Sequence, residues 1–373
     1  MNGSGGISLI GNGDSLHVTG DYVQTGGSMS LSSTSGYVQT VQIDGNLTMA
    51  GSIGASIQNM TVGGKFTNLA AGIFGIGQAF GGSQRDILTV GGDWENDGTF
   101  SVINSFSSSI QGGLVTVGGN ALNAGTLSVQ GSSFGKSGEF DVTGNFVNTN
   151  KDTGGVGSIE NVGGYMTNSG AVNLNNNSTL TVSGTYTQTA GSTHIGTGGT
   201  ITAGEFFLHG GTMGGGGTYK GTVDVTGGTF APGDPTTTFV TGDYIQSGGA
   251  LLLVVTSPAA YDQLNVSGNM NITGGTLQVS FASGFTPFAG EIFNFFAVGG
   301  AFHGDWSALS FPSTPGGWVL REVPGANGVI AVEVFAPEPG TWLLGAAGVL
   351  AMIARRRRRA AGPRSNFPTA SES

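Results

Sequence analysis

The four histidines of the 373-residue chain, His17, His194, His209 and His303, stand apart from one another. None forms the H-x-x-x-H or H-E-x-x-H spacing that sets two imidazoles around a zinc ion. There is no cysteine, which excludes disulfides, thiolate metal sites and a thiol nucleophile. No G-x-S-x-G stretch opens a helix as a nucleophile elbow does, and no glycine-rich loop has the strand–helix setting of a nucleotide site. Asp21, Asp44, Asp93, Asp141 and Asp243 lie beside or near recurring glycines. A calcium ladder would need several oxygen ligands per site, and the GGxGxD nonapeptide of calcium-binding β-rolls is not repeated. These aspartates are therefore expected to be solvated turn residues, with catalytic, cofactor and metal residues assigned to none. A glycoside hydrolase needs two acids at a defined separation. A polysaccharide lyase needs a base, commonly Lys or Arg, with carboxylates or calcium. Only six basic residues precede residue 337, so both chemistries remain as the alternative to a non-enzymatic protein.

The composition narrows the class. Glycine accounts for 72 residues and charged side chains for only 9%, against about 25% charged in ordinary soluble domains. Such a chain is too apolar for intrinsic disorder and, without a G-x-y period, is not collagen. Six basic against twenty acidic side chains upstream of residue 337 give a net charge of −14 there. An acidic body with scattered cations offers nothing to the phosphates of nucleic acid.

One short pattern recurs: an aliphatic residue, any residue, glycine, any residue, then an aromatic or apolar one. It appears as Val18–Tyr22, Ile43–Leu47, Val62–Phe66, Val90–Trp94, Val142–Phe146, Val182–Tyr186, Val240–Tyr244 and Val266–Met270, with shorter forms at Val117–Gly119, Val162–Gly164 and Val225–Gly227. Its glycines fall roughly every 19 to 28 residues, a period typical of solenoid repeats. Between them, alternating apolar and polar residues signal strands with one buried face, and glycine is expected to supply the positive φ of sharp corners. One such period cannot bury its apolar face alone, whereas stacked periods can. The expected fold is all-β: a right-handed parallel β-helix (β-solenoid) over residues 1–250. A β-sandwich with turns every 8–12 residues is the alternative. The repeats resemble the adhesin-like β-helical regions of bacterial autotransporter passengers and filamentous surface proteins, over about residues 15–250. A flat-face binder using Thr/Asn arrays, such as Asn173 to Thr181, is a third reading.

After residue 250 the texture changes. Leu251–Val255 is continuously apolar, and aromatics gather from Phe281 to Trp318. Residues 251–336 are expected to form a C-terminal β segment or cap, because an open solenoid end exposes unpaired strand edges. The aromatics are read as core packing, with a sugar-stacking face as the alternative.

The last segment carries the sharpest pattern. Pro337, Glu338, Pro339, Gly340 and Thr341 precede the apolar stretch Trp342–Ala354, and Arg355, Arg356, Arg357, Arg358 and Arg359 follow directly. The prolines end β pairing. The apolar stretch is short for a span of about 20 residues, and snorkelling arginines extend its reach. The arginine run would stay cytoplasmic. A plain tail anchor or a buried helix with a basic end are the alternatives. The order resembles the PEP-CTERM sorting signal of Gram-negative bacteria, whose tripeptide, short hydrophobic transmembrane helix and arginine cluster fall on residues 337–359. That resemblance implies recognition and removal of the tail by an exosortase, transient anchoring in the inner membrane, and delivery to the cell surface or an exopolysaccharide matrix. Residues 360–373, expected to be a disordered tail, depart from the family, whose signals usually end soon after the arginines. The first residues, Met1 to Ile10, show no basic n-region or apolar h-region. Since the resemblance implies export, the true start is expected to lie further upstream.

Overall fold

The computed structural model describes residues 2–3, 7–9, 13–31, 39–54, 59–77, 85–103, 112–131, 137–233, 237–282, 285, 292–304, 319–324 and 330–335. The expected all-β stack is what these residues form. Each turn of chain contributes three short strands, as in Ile87–Val90, Trp94–Asn96 and Thr99–Val102. The next turn supplies Leu114–Val117, Ala121–Asn123 and Thr126–Val129. Each strand pairs in parallel and in register with its counterpart: Leu88 with Val115, Trp94 with Ala121, Phe100 with Leu127. The period-2 alternation of the sequence is realised literally within the strands, with Leu88, Val90, Trp94, Asn96, Phe100 and Val102 buried and Ile87, Thr89, Glu95, Thr99 and Ser101 facing out. A β-sandwich is thereby replaced by a parallel β-solenoid.

The interior is filled by aromatic and branched side chains that meet their counterparts in neighbouring turns. Phe74 stacks on Phe100 with ring centroids 4.9 Å apart, and Trp94 meets both Phe100 and Phe140 edge-on at 5.1 Å. A second aromatic series joins Tyr186, Phe206, Tyr219, Phe230 and Tyr244. Edge and offset contacts at these separations suit the ring quadrupole and add to area burial.

The recurring glycines work differently from expectation. None of them has positive φ. They lie in a column in which the Gly64 N–H donates to the Gly45 carbonyl, Gly92 to Gly64, Gly119 to Gly92 and Gly144 to Gly119, at 2.9–3.0 Å. A Cβ on Gly92 would sit 2.9 Å from the Gly64 carbonyl carbon. Glycine is needed here because the turns press backbone on backbone. Positive φ belongs to the following corner, at Gly191, Gly211, Gly228, Gly249 and Gly275. One apparent repeat is also reassigned. The Gly227 N–H bonds the Leu208 carbonyl at that second corner, and Gly221, outside the recurring motif and with φ at 147°, takes the expected place in the column, its carbonyl accepting the Gly242 N–H. In this region the first and second strands fuse into Thr200–Leu208 and Thr218–Val225, with a register irregularity between Thr202 and Glu205.

Parallel stacking continues past residue 250. Ala250–Ser257 pairs with Thr229–Pro232 and with Thr276–Phe281, and Gln263–Val266 pairs with Thr237–Val240. Ile292–Val298 and Phe302–Gly304 extend the same ladders. Antiparallel pairing then appears, where Ile330–Phe335 joins both Ile292–Val298 and Val319–Pro324. Phe293, Phe295 and Phe296 are buried, as core packing requires.

Candidate functional site

The first corner of each turn carries an Asp or Asn whose side chain reaches one turn onward. Asp21 Oδ1 accepts the Asn46 N–H at 2.7 Å, and Asn46 Oδ1 accepts that of Lys65 at 2.7 Å. Asp93 accepts from Asn120, Asn120 from Asn145, and Asn145 from Tyr165, at 2.8–3.0 Å. Asp243 and Asn269 repeat the bond near the far end, to Asn269 and Ala301. Asp21, Asp93 and Asp243 stand at turns as expected, with Asp21 and Asp93 exposed, and carry in addition a bond to the next turn. Each satisfies a corner N–H that regular strand pairing leaves without a partner. Asp44 instead bonds Gln42 and His17 at 2.8 and 2.9 Å, and these two partners hold its carboxyl below the ordinary range, Gln42 more strongly. Asp141 accepts from Asn161 at 2.7 Å. Among the described residues no three of His, Asp or Glu gather as metal ligands. Changing Asp93 to Ala is expected to lower the unfolding free energy by about 1 kcal/mol, one inter-turn hydrogen bond, while EDTA leaves the melting temperature of the native chain unmoved. A drop in melting temperature on chelation would contradict the corner role.

A second ladder lies inside. Asn68, Asn96, Asn123, Asn148, Asn168 and Gln188 occupy one buried position in successive turns. Each asparagine donates its Nδ2–H to the next side-chain carbonyl at 2.8 Å. Each also donates to a third-strand carbonyl of the following turn, Asn123 to Lys151 at 2.8 Å and Asn168 to Ser192 at 3.1 Å. Sequence reasoning missed this ladder. Its signal is an asparagine two residues after the aromatic or apolar residue that ends the recurring motif, as in Phe66–Asn68, Trp94–Asn96, Phe146–Asn148 and Met166–Asn168.

The recurring polar residues thus hold turn to turn, and what is left for a ligand is the outer surface. On the first-strand face, Gln42, Thr61, Thr89, Thr116, Asp141, Asn161, Thr181 and Thr202 align in register as an outward row of hydroxyl, amide and carboxylate groups. On the third-strand face a groove of about 330 Å³ opens where Gly214, Gly215 and Gly233 leave no side chain. That is the low end of the ~300–1,000 Å³ of small-molecule sites. His194, Thr212, Thr256 and Asp262 line it. Asp262 is buried, its Oδ2 accepting the Val254 N–H at 2.8 Å. Among the described residues lining the groove there is one carboxylate and one imidazole, and neither a second acid nor a Lys or Arg. The other histidines lie elsewhere: His17 against Asp44, His209 stacked on Phe207 and bonded to Thr226, and His303 on the last parallel strand.

The residues singled out at the C-terminus, Pro337 to Thr341, Trp342 to Ala354 and Arg355 to Arg359, lie outside the described residues. Among the described residues no helix is long and apolar enough to cross a membrane. No protein-family model and no curated protein matches the chain.

Proposed function

We propose that this chain is a non-enzymatic, adhesin-like structural protein, exported by a bacterium to its surface or exopolysaccharide matrix and sorted by an exosortase through residues 337–359. The observation that carries the proposal is the row from Gln42 to Thr202, which repeats hydrogen-bonding groups along the outside of a stack whose interior is closed. Strand spacing sets these groups about 4.8 Å apart, a template for a long, hydroxyl-rich chain rather than for one small molecule. The exosortase reading rests on the order of Pro337–Pro339, Trp342–Ala354 and Arg355–Arg359. In it the apolar stretch holds the chain transiently in the inner membrane and the arginines stop transfer.

A β-helical lyase or hydrolase is the second reading, favoured by the groove that sets His194 near the buried carboxylate of Asp262. Incubation of the protein with uronate and neutral polysaccharides separates the two: release of reducing ends or unsaturated sugars supports the enzyme. For the sorting step, the gene is expressed in cells with and without an exosortase. The expected result is a shortened mature chain lacking Arg355–Arg359 only when the enzyme is present. Identical products in both cells would remove the sorting assignment.

A further inference from the structure

The two aromatic series of the core are separated by a polar interval. Phe146 ends the first and Tyr186 begins the second, and between them lie two buried acids. Asp152, on the third strand Lys151–Gly154, takes the inward position held by Leu127 in the turn before and Val172 in the turn after. Glu160, on the following strand Ile159–Val162, takes the position held by Phe140 and Leu180. Both are essentially inaccessible, at 0% and 1% exposure.

Among the described residues no cation is paired with them. The ion pairs among the described residues are His17–Asp44, Lys65–Glu95 and Arg85–Glu139. Apart from one another and the Thr153 backbone, which lie within reach of Asp152, the four carboxyl oxygens have no hydrogen-bond partner. The buried Ser158 hydroxyl is likewise without a partner. Both it and Glu160 Oε1 converge over Gly154, 2.6 and 3.1 Å from where a Cβ would stand there. The elements packed around the pair present apolar side chains: Leu127, Phe140, Phe146, Met166, Val172 and Leu180. The buried Tyr186 phenol, which bonds the Thr193 hydroxyl, feels the pair: after burial, Asp152 and Glu160 help to push it up. Lys151 and Glu139 are on outward positions of their strands.

Two ionised carboxylates in such a place would be prohibitively costly, and a proton held between them removes one charge and joins one oxygen of each in a hydrogen bond. We propose that Asp152 and Glu160 share a proton inside the solenoid, making this turn a pH-sensitive joint that holds in acid and loosens in alkali. In support, burial pushes the Asp152 carboxyl up to about 7. Burial first, and then the charge of Asp152, pushes Glu160 well above its ordinary range. In the unfolded chain both groups lose their protons near pH 4. Above that the native state binds more protons than the unfolded one, so stability is fullest in acid and falls as pH rises through 7. Because each turn touches only its neighbours, loosening here separates the turns before Asp152 from those after Glu160.

Thermal unfolding of the full chain between pH 4 and pH 9 tests this, beside a double variant, Asp152→Leu with Glu160→Leu, that extends the apolar columns. The native melting temperature is expected to fall by roughly 5 °C more than that of the variant across this range, a shift of about 4 kcal/mol at about 2.1 cal/mol/K per residue. Parallel profiles would overturn the proposal. A second readout uses the same two proteins: at pH 6 in deuterated buffer the native infrared spectrum should hold a protonated-carboxyl band that the double variant lacks, over the part from Asp86, which burial also pushes up to about 7. Absence of that difference would also overturn the shared proton.

Discussion

Asn123→Leu is expected to lower the unfolding free energy by about 2–4 kcal/mol, more than the same change at Asn68. Asn123 accepts from Asn96 and donates to Asn148 and to the Lys151 carbonyl, each at 2.8 Å. Leucine fills the space but leaves Asn148 Oδ1 and the Lys151 carbonyl without that donor, and a buried polar group so abandoned costs about 1–3 kcal/mol. Asn68 begins the ladder. Met49 occupies the position before it, and Asn68 Oδ1 already has no donor. Substitution there removes one unsatisfied oxygen while orphaning others, so the net loss is smaller. Chemical denaturation of the two variants measures the difference. Equal losses would show that the amides act as separate contacts and not as a chain.

Gly119→Ala is expected to cost about 2 kcal/mol or more, whereas Gly20→Ala changes stability by less than about 0.5 kcal/mol. An alanine Cβ at position 119 would lie 2.8 Å from the carbonyl carbon and oxygen of Gly92 and closer still to the Asp93 carboxylate. Relief requires the two turns to separate at the corner, and overpacking of this kind typically costs about 1–3 kcal/mol. At Gly20, early in the column, a Cβ meets nothing within 4 Å, and surface substitutions of that type are nearly neutral. Both glycines belong to the same recurring motif and neither has positive φ, so backbone conformation cannot account for a difference. Similar losses at the two sites would mean that turn-on-turn contact is not the reason for glycine.

The strands and their stacking could be read from the sequence because period-2 alternation and the recurring Val-x-Gly corner are local signals. The reason for glycine could not, since the close approach is to a residue about 25 positions away. The Asn ladder was hidden for a related reason. Asparagine is ordinarily a turn residue, and only in-register stacking turns a polar side chain into a buried one with partners on both sides. Asp152 and Glu160 carry a clearer trace: each is an acid at a place in the period where neighbouring turns have Leu, Val or Phe. The shift in texture at residue 250 marks longer strands such as Ala250–Ser257 and denser aromatics while parallel pairing goes on. At the outer surface, the groove depends on Gly214, Gly215 and Gly233 meeting across two successive turns, which spacing along the chain does not reveal.

The most direct measurement of the stack uses pairs of spin labels on the outward first-strand row, one always at Thr61 and the other at Thr181 or Thr202. The register runs from Thr61 through Thr89, Thr116, Asp141 and Asn161 to Thr181, and one turn further to Thr202. Five and six steps of about 4.8 Å predict label separations of about 24 and 29 Å, increasing by one strand spacing for the added turn. Separations that do not grow with the number of intervening turns would contradict the solenoid, and with it the ladders, the joint and the outer row.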